Sequence, residues 1–205
     1  MTDRPIIFSA PMIRALLDGR KTQTRRVLKP QPVCYQNPPS FSWGKFDGEW
    51  PDDWFGYGNA IDGALPYAPG DRLWVKEAHA FDIGANTVDE REIIWYRATQ
   101  PVDEVHWRSP IHMPRWASRL TLLVTDVRVQ RLQEISRGDA MEEGCPFANM
   151  ADGPNPRDWY RGIWNSIHGP GAWDASPWVC AISFDMLRGN IDDAEAVAAR
   201  KETGK

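Results

Sequence analysis

Residues 5–26, PIIFSAPMIRALLDGRKTQTRR, decide how this chain begins to fold. Ile6, Ile7 and Phe8 read as a short strand. From Pro11 to Asp18 the apolar residues Met12, Ala15 and Leu16 fall at helical spacing, and Pro11 suits the first turn of a helix, where a missing N–H costs nothing. Gly19 follows, where a helix wants a left-handed residue to end on. The chain then reads as extended again from about Thr22 to Leu28.

The turn joining helix and second strand is chemically dense. Arg20, Lys21, Thr22, Thr24, Arg25 and Arg26 arrive in quick succession. Such a turn can hold an amine, a hydroxyl and guanidinium groups in one small volume, which suits a polyanion or a hydroxyl activated by a nearby amine. The same residues also fit a purely structural role, because basic side chains complement the negative end of a helix dipole and threonine favours strands. In a regular strand Lys21 and Thr24 have opposite parity. They can meet only if Lys21 still belongs to the turn after Gly19, or if a bulge intervenes.

Beyond this start, Lys29 to Pro69 is dense in proline, glycine and aromatics and shows neither helical nor strand period. It reads as an insertion laid over the surface and pinned by its aromatic side chains, since a structureless loop of that length is unusual in a compact domain. Ala68-Pro69-Gly70-Asp71 is a turn by composition, leading into a strand at Arg72–Glu77; Ile93–Tyr96 is another strand. Leu120–Val129 (LTLLVTDVRV) is the clearest strand in the chain. Ser136-Arg137-Gly138-Asp139 matches a capping box and starts a short helix ending near Gly144. Asp158–Ile167 reads as a helix with Trp159, Ile163, Trp164 and Ile167 packed on one face, and Trp178–Phe184 as the last strand. Strands of varied spacing with short helices between them point to an α+β protein, for which a small, partly closed barrel is a suitable architecture.

The 205 residues, 42% of them hydrophobic, suffice for one domain with a real core and an insertion. A net charge of −4 excludes a chain that attracts nucleic acid over its whole surface, leaving residues 20–29 as the one strong basic patch. Cys34, Cys145 and Cys180 form no CxxC pair, so neither a disulfide framework nor a zinc knuckle is supported. His79, His106, His112 and His168 lack metal-ligand spacing, so no metal or cofactor is expected. Without a signal peptide or an apolar run of spanning length, the reading is cytoplasmic with no membrane partner.

Three motifs occur in order: Gly19-Arg20-Lys21-Thr22-Gln23-Thr24-Arg25-Arg26, Pro69-Gly70-Asp71, and Leu132 followed by Ala140-Met141-Glu142-Glu143-Gly144. Together they resemble the ASCH domain of the PUA-like superfamily. The wider pattern, adding IHMPRWASRLTL at 111–122 and SPWV at 176–179, looks like ASCH-type proteins common in bacteriophages and prophages. The resemblance implies a small PUA-like β-barrel with flanking short helices, as a single domain over 1–187. A long aromatic, proline-rich insertion at about 30–66 and a polar tail at 188–205 complete the chain. It further implies a cleft for a nucleoside, a modified nucleobase or RNA. One ASCH branch, the small bacterial N4-acetylcytidine amidohydrolases, is similar at the motif itself. By that match Lys21, Thr24 and Glu143 fall on its catalytic lysine, threonine and glutamate, and Arg26 on the arginine closing its motif. This chain departs from the branch in its size, its insertion and Arg25 before Arg26.

The residues can support that chemistry. Amide hydrolysis without a metal needs a nucleophile, a base and a donor for the oxyanion and leaving nitrogen. Thr24 is the expected nucleophile and Lys21 its base, with Arg20, Arg25 and Arg26 lowering the lysine's pKa by like-charge repulsion. Glu143, at a helix end facing the negative pole of the dipole, is the expected acid or substrate orienter. Arg20, Arg25 and Arg26, with Glu77 at a strand end and Trp54 in the insertion, are the expected substrate-binding residues. The leading expectation is thus removal of an acyl group from an N4-acylated cytosine nucleoside or related base. The alternatives are a non-catalytic module that binds RNA or modified nucleotides, and a ribonuclease using the same cleft.

Overall fold

Ser9 and Pro11 open the first helix where the sequence pattern places it. In the computed structural model, which describes residues 2–29, 31, 33–36, 39–42, 65–81, 94–100, 105–147 and 153–193, strand β1 (Asp3–Ile7) leads into α1 (Ala10–Leu17). Helix α1 buries Ile13, Ala15 and Leu16 against the sheet. Strand β2 (Gln23–Val27) follows, and then a hairpin, β3 (Val33–Gln36) with β4 (Pro39–Ser42). That hairpin corrects the reading of Lys29 to Pro69 as lacking strand period. The prolines masked the pattern, yet Pro39 sits at the first position of its strand, where proline is tolerated. Next come β5 (Arg72–Lys76), a second small hairpin of β6 (His79–Phe81) and β7 (Ile94–Tyr96), and the long β8 (Leu120–Arg131). Helices α2 (Arg137–Glu142) and α3 (Pro156–His168) precede β9 (Trp178–Arg188). Single 3-10 turns lie at Pro110–His112, Arg115–Ala117 and Leu132–Glu134. The expected capping box at Ser136 and Asp139 is formed.

The protein is α+β. Its main sheet has five strands in the order β1-β5-β8-β9-β2, with β1 and β5 parallel and every other pair antiparallel. The order has two ends, so the sheet is mixed and open among the described residues, where a closed barrel would join β1 to β2 by a ladder. β1 carries Pro5, which an edge strand can accommodate because its missing N–H breaks no interior bond. The two edges nevertheless approach each other: Arg26 of β2 donates to the Ile7 carbonyl of β1 at 2.8 Å.

Strand β9 is buried without interruption from Val179 to Ile182, the mark of a strand covered on both faces. Its alternation divides two cores. Cys180, Ile182 and Phe184 join Ile13, Leu16, Leu73 and Leu122 under α1, while Val179 joins Leu132, Ile135, Tyr160, Trp164 and Trp173 under α2 and α3. The Gly70-Asp71 turn ties the chain start to the head of β5, because Asp71 accepts from the amides of Thr2 (2.7 Å) and Ala68 (3.1 Å). The beginning of the polar tail is anchored as well. Asn190 donates to the carbonyls of Arg115, Trp116 and Ser118, and Ile191 is fully buried. No helix among the described residues is long and apolar enough to cross a membrane.

Candidate functional site

The site begins in the turn after α1. Gly19 takes a left-handed φ of +72°, and the amides of Arg20 and Lys21 both donate to the Ala15 carbonyl at 3.0 Å. Lys21 therefore belongs to the turn and not to β2, which removes the parity conflict with Thr24. Its backbone forms an isolated antiparallel bridge with Glu143, and the Thr22 amide donates to the Glu142 carbonyl at 2.8 Å. Three segments thus converge at the end of α2. Gly144, at φ +100°, permits it: a Cβ there would stand 2.9 Å from that of Ala15 and 3.2 Å from that of Lys21.

A buried ion cluster fills this junction. Lys21, only 2% exposed, donates from Nζ to Glu143 Oε2 (2.7 Å), the Glu143 carbonyl (3.0 Å) and the Gln23 carbonyl (2.8 Å). These three acceptors match the three protons of an ammonium. Arg25, equally buried, donates to Glu143 Oε1 at 3.0 Å and lies 3.3 Å from Asp139 Oδ2. Burial pushes the Lys21 amine below the ordinary lysine range; the Glu143 charge opposes this, and Arg26 and Arg25 add to it. Burial alone would raise the Asp139 carboxyl, but Arg128, Ser136 and Arg25 together hold it well below the usual carboxylate range. Both Glu143 oxygens accept from cations, which suits an orienting carboxylate better than one that hands on a proton.

The cluster closes the inner end of a cleft of about 580 Å³. Edge strands β1 and β2 are its two lips. The Phe8 ring lies 5.5 Å from Lys21 Nζ and 5.2 Å from Arg26 Cζ. Helix α3 forms the opposite wall through Trp159, Tyr160, Trp164 and His168, the last two rings 4.2 Å apart. Tyr160 is 4% exposed and packed by Trp159, Trp164 and Trp173. Burial, reinforced by the Glu143 charge, holds its phenol well above the ordinary tyrosine value. At the mouth, Ile7 and Ile167 expose apolar surface, Ile167 to 65%.

Lys21, Thr24, Arg25, Arg26 and Glu143 all line this one cleft. The Thr24 hydroxyl makes no hydrogen bond among the described residues, to Lys21 or to any other group. Two expected binding residues lie elsewhere. Arg20 is on the outer side of the turn, clamping the Gly144 carbonyl (2.8 Å) to Asp18 (2.8 Å). Glu77 leaves an interior strand and is fully occupied by Arg119 at 2.8 and 3.0 Å, with the guanidinium stacked 3.9 Å from the Tyr96 ring. Trp54, like Trp43 and Trp50, falls outside the described residues.

Sequence reasoning missed Phe8, Tyr160, Trp164 and His168 as cleft residues. The apolar stripe of α3 signalled a covered face, and part of what covers that face is the cleft. Among the described residues, no three His, Cys, Asp or Glu side chains converge as a metal site requires.

No protein-family model matches the chain, and no curated protein does. A crystal structure of a DUF984 protein from Enterococcus faecalis V583 is similar at 11% identity, covering 93% of this chain and 83% of that one, with a TM-score of 0.39. A likeness that distant establishes neither family nor activity.

Proposed function

We propose that this protein is an amidohydrolase of the ASCH, PUA-like kind that removes the acyl group from an N4-acylated cytosine nucleoside or a related modified base. The observation that carries the reading is the placement of a buried lysine and an unbonded threonine hydroxyl in one aromatic-walled cleft. On this reading the curled sheet is a barrel left open between β1 and β2, where the substrate enters.

Lys21, its amine pushed toward neutrality by burial, takes the proton of the Thr24 hydroxyl. To do so it must release one of its three acceptors. Thr24 Oγ1 then attacks the acyl carbon, and the carbonyl π electrons move to the oxygen. The Tyr160 phenol, kept neutral by burial and by the Glu143 charge and hydrogen bond, turns from Glu143 to donate to that oxyanion, as a protonated group in an apolar site can. Collapse breaks the C–N bond, and the Lys21 ammonium returns its proton to the leaving N4 amine. Water, deprotonated by Lys21, then attacks the acyl carbon; the bond to Thr24 Oγ1 breaks, Lys21 returns the proton to that oxygen, and the acyl group leaves as its carboxylic acid. Glu143 holds Lys21 and Arg25 in place throughout.

The test is chromatography of N4-acetylcytidine after incubation with purified protein, beside Thr24→Val and Lys21→Met variants whose folding is checked by circular dichroism. Cytidine released by the wild type alone supports the reading; equal turnover by folded Lys21→Met overturns it.

One observation favours a second reading, a nucleotide-binding module without turnover. All three Lys21 protons are accepted by fixed groups, and no hydrogen bond joins Lys21 to Thr24. That reading predicts affinity that falls with salt and no product.

A further inference from the structure

The cleft has an inner end and a mouth, and basic side chains stand at both. At the inner end Lys21 and Arg25 are neutralised by Glu143 and Asp139. At the mouth no such neutralisation occurs. The Arg26 guanidinium uses one N–H on the Ile7 carbonyl and makes no ion pair among the described residues. Across the cleft from it is the exposed ring of His168, on the last residue of α3. The charges acting on His168 are those of Arg26 and Lys29, both positive.

The spacing between the two ends is also defined. Thr24 and Arg26 share a face of β2, so their backbones are about 7 Å apart along the strand. The Phe8 ring lies within reach of Lys21 on one side and Arg26 on the other. A hydroxyl and an unneutralised guanidinium on one face of β2, across the cleft from the half-buried Trp159, match a nucleotide lying with its exocyclic amine inward, its base between the walls and its sugar-phosphate at the mouth.

From this geometry we infer that the substrate is phosphorylated: Arg26 and His168 form a phosphate site at the mouth, and the protein prefers a nucleotide to the free nucleoside. The inference rests on the proposed use of the cleft for a cytosine derivative and adds the group that anchors its other end. Arg26 supplies the charged fork and His168 a ring N–H that donates in either protonation state. The phosphate can belong to a mononucleotide or to an RNA strand.

The test is titration of the intact protein at fixed ionic strength with cytidine, cytidine 5′-monophosphate and a short oligocytidylate, followed calorimetrically. The expected result is at least about tenfold tighter binding of the monophosphate than of cytidine, from two or more charge-assisted contacts. That ratio falls toward one in Arg26→Gln and in His168→Gln, the second being an exposed position that does not endanger folding. Equal affinities for cytidine and its monophosphate, or an unchanged ratio in both variants, overturn the inference. An oligonucleotide tighter per site than the monophosphate assigns the phosphate to RNA; one no tighter assigns it to a mononucleotide. Turnover of N4-acetylcytidine, measured separately, keeps the two proposals apart. A phosphate preference without turnover leaves the site standing and removes the amidohydrolase, and turnover without the preference does the reverse.

Discussion

Lys21 and Glu143, 122 positions apart in sequence, meet twice: their backbones form an isolated bridge and their side chains pair at 2.7 Å in the interior. The double contact makes the junction of α1, α2 and β2 one unit, so the chemistry of the site and the stability of the fold are coupled there.

Glu143 neutralises two buried cations, whereas Lys21 shares its partner with Arg25. Glu143→Ala therefore leaves both cations uncompensated and should cost about 3–5 kcal/mol. Lys21→Met, which keeps the Arg25 pair and the volume of the side chain, should cost distinctly less. Urea unfolding of the two variants checks the order, and an equal loss would show that the cluster is not organised around Glu143.

The two glycines flanking this unit should respond differently to alanine. Gly19 faces open space, so Gly19→Ala carries only the left-handed backbone cost of about 1–2 kcal/mol. Gly144→Ala adds a Cβ at 2.9 Å from Ala15 and 3.2 Å from Lys21, and should destabilise more while displacing the amine. Thermal scans compare the stabilities; a turnover loss in Gly144→Ala exceeding that in Gly19→Ala reports the displacement.

On the proposed mechanism Lys21 sets the pH dependence of turnover. Its amine must be neutral to act as base, and burial lowers its pKa, so the rate should rise with pH along a limb below the ordinary lysine range. Arg26 is among the charges that lower it. Arg26→Gln should thus move the limb of kcat to higher pH, and a pH–rate profile that stays in place would remove Lys21 from the role.

Stability should fall on acidification through His79. This ring is fully buried, with Nδ1 against the Glu77 carbonyl at 3.2 Å and Nε2 unbonded, and burial holds its pKa below that of a free histidine. The unfolded chain then binds the proton more readily than the folded one, so the contribution is fully present above about pH 6.5 and diminishes below it. His168 shifts in the same direction but is exposed and counts for less. Melting temperatures at pH 7.5 and 5.5 should differ less in His79→Leu than in the wild type.

Glu77→Gln tests the relocation of that residue. Because the carboxylate is spent on Arg119, the variant should lose stability while leaving the cleft intact. A KM for N4-acetylcytidine raised out of proportion to the stability loss would return Glu77 to the site.

How much of this was legible depended on the range of the forces involved. The α1 helix, the Gly19 stop and the Ser136–Asp139 cap are local devices, written within a few residues and recovered as such. The pairing of Lys21 with Glu143 has no local signature; only the ordered motifs brought the two together. Glu77 shows the opposite failure, since a strand-end carboxylate gives no sign of an arginine 42 residues later. The stripe on α3 was ambiguous for a physical reason. Periodicity tells which face is shielded from water, not whether protein or a cleft shields it, and Tyr160 and Trp164 front both. Closure of the sheet was beyond any pattern, because it depends on how far five strands twist together.

The approach of β1 to β2 has a consequence for how the molecule behaves in company. A sheet edge is normally a template on which another chain can add a strand, the first step of unwanted assembly. Here the two outer strands of the main sheet turn toward each other, Pro5 removes one amide from the row, and Arg26 occupies the Ile7 carbonyl. One amide and one carbonyl are thereby missing from the row that an added strand would pair with, so the bend that creates the cleft also makes these edges a poorer template for a neighbour's strand.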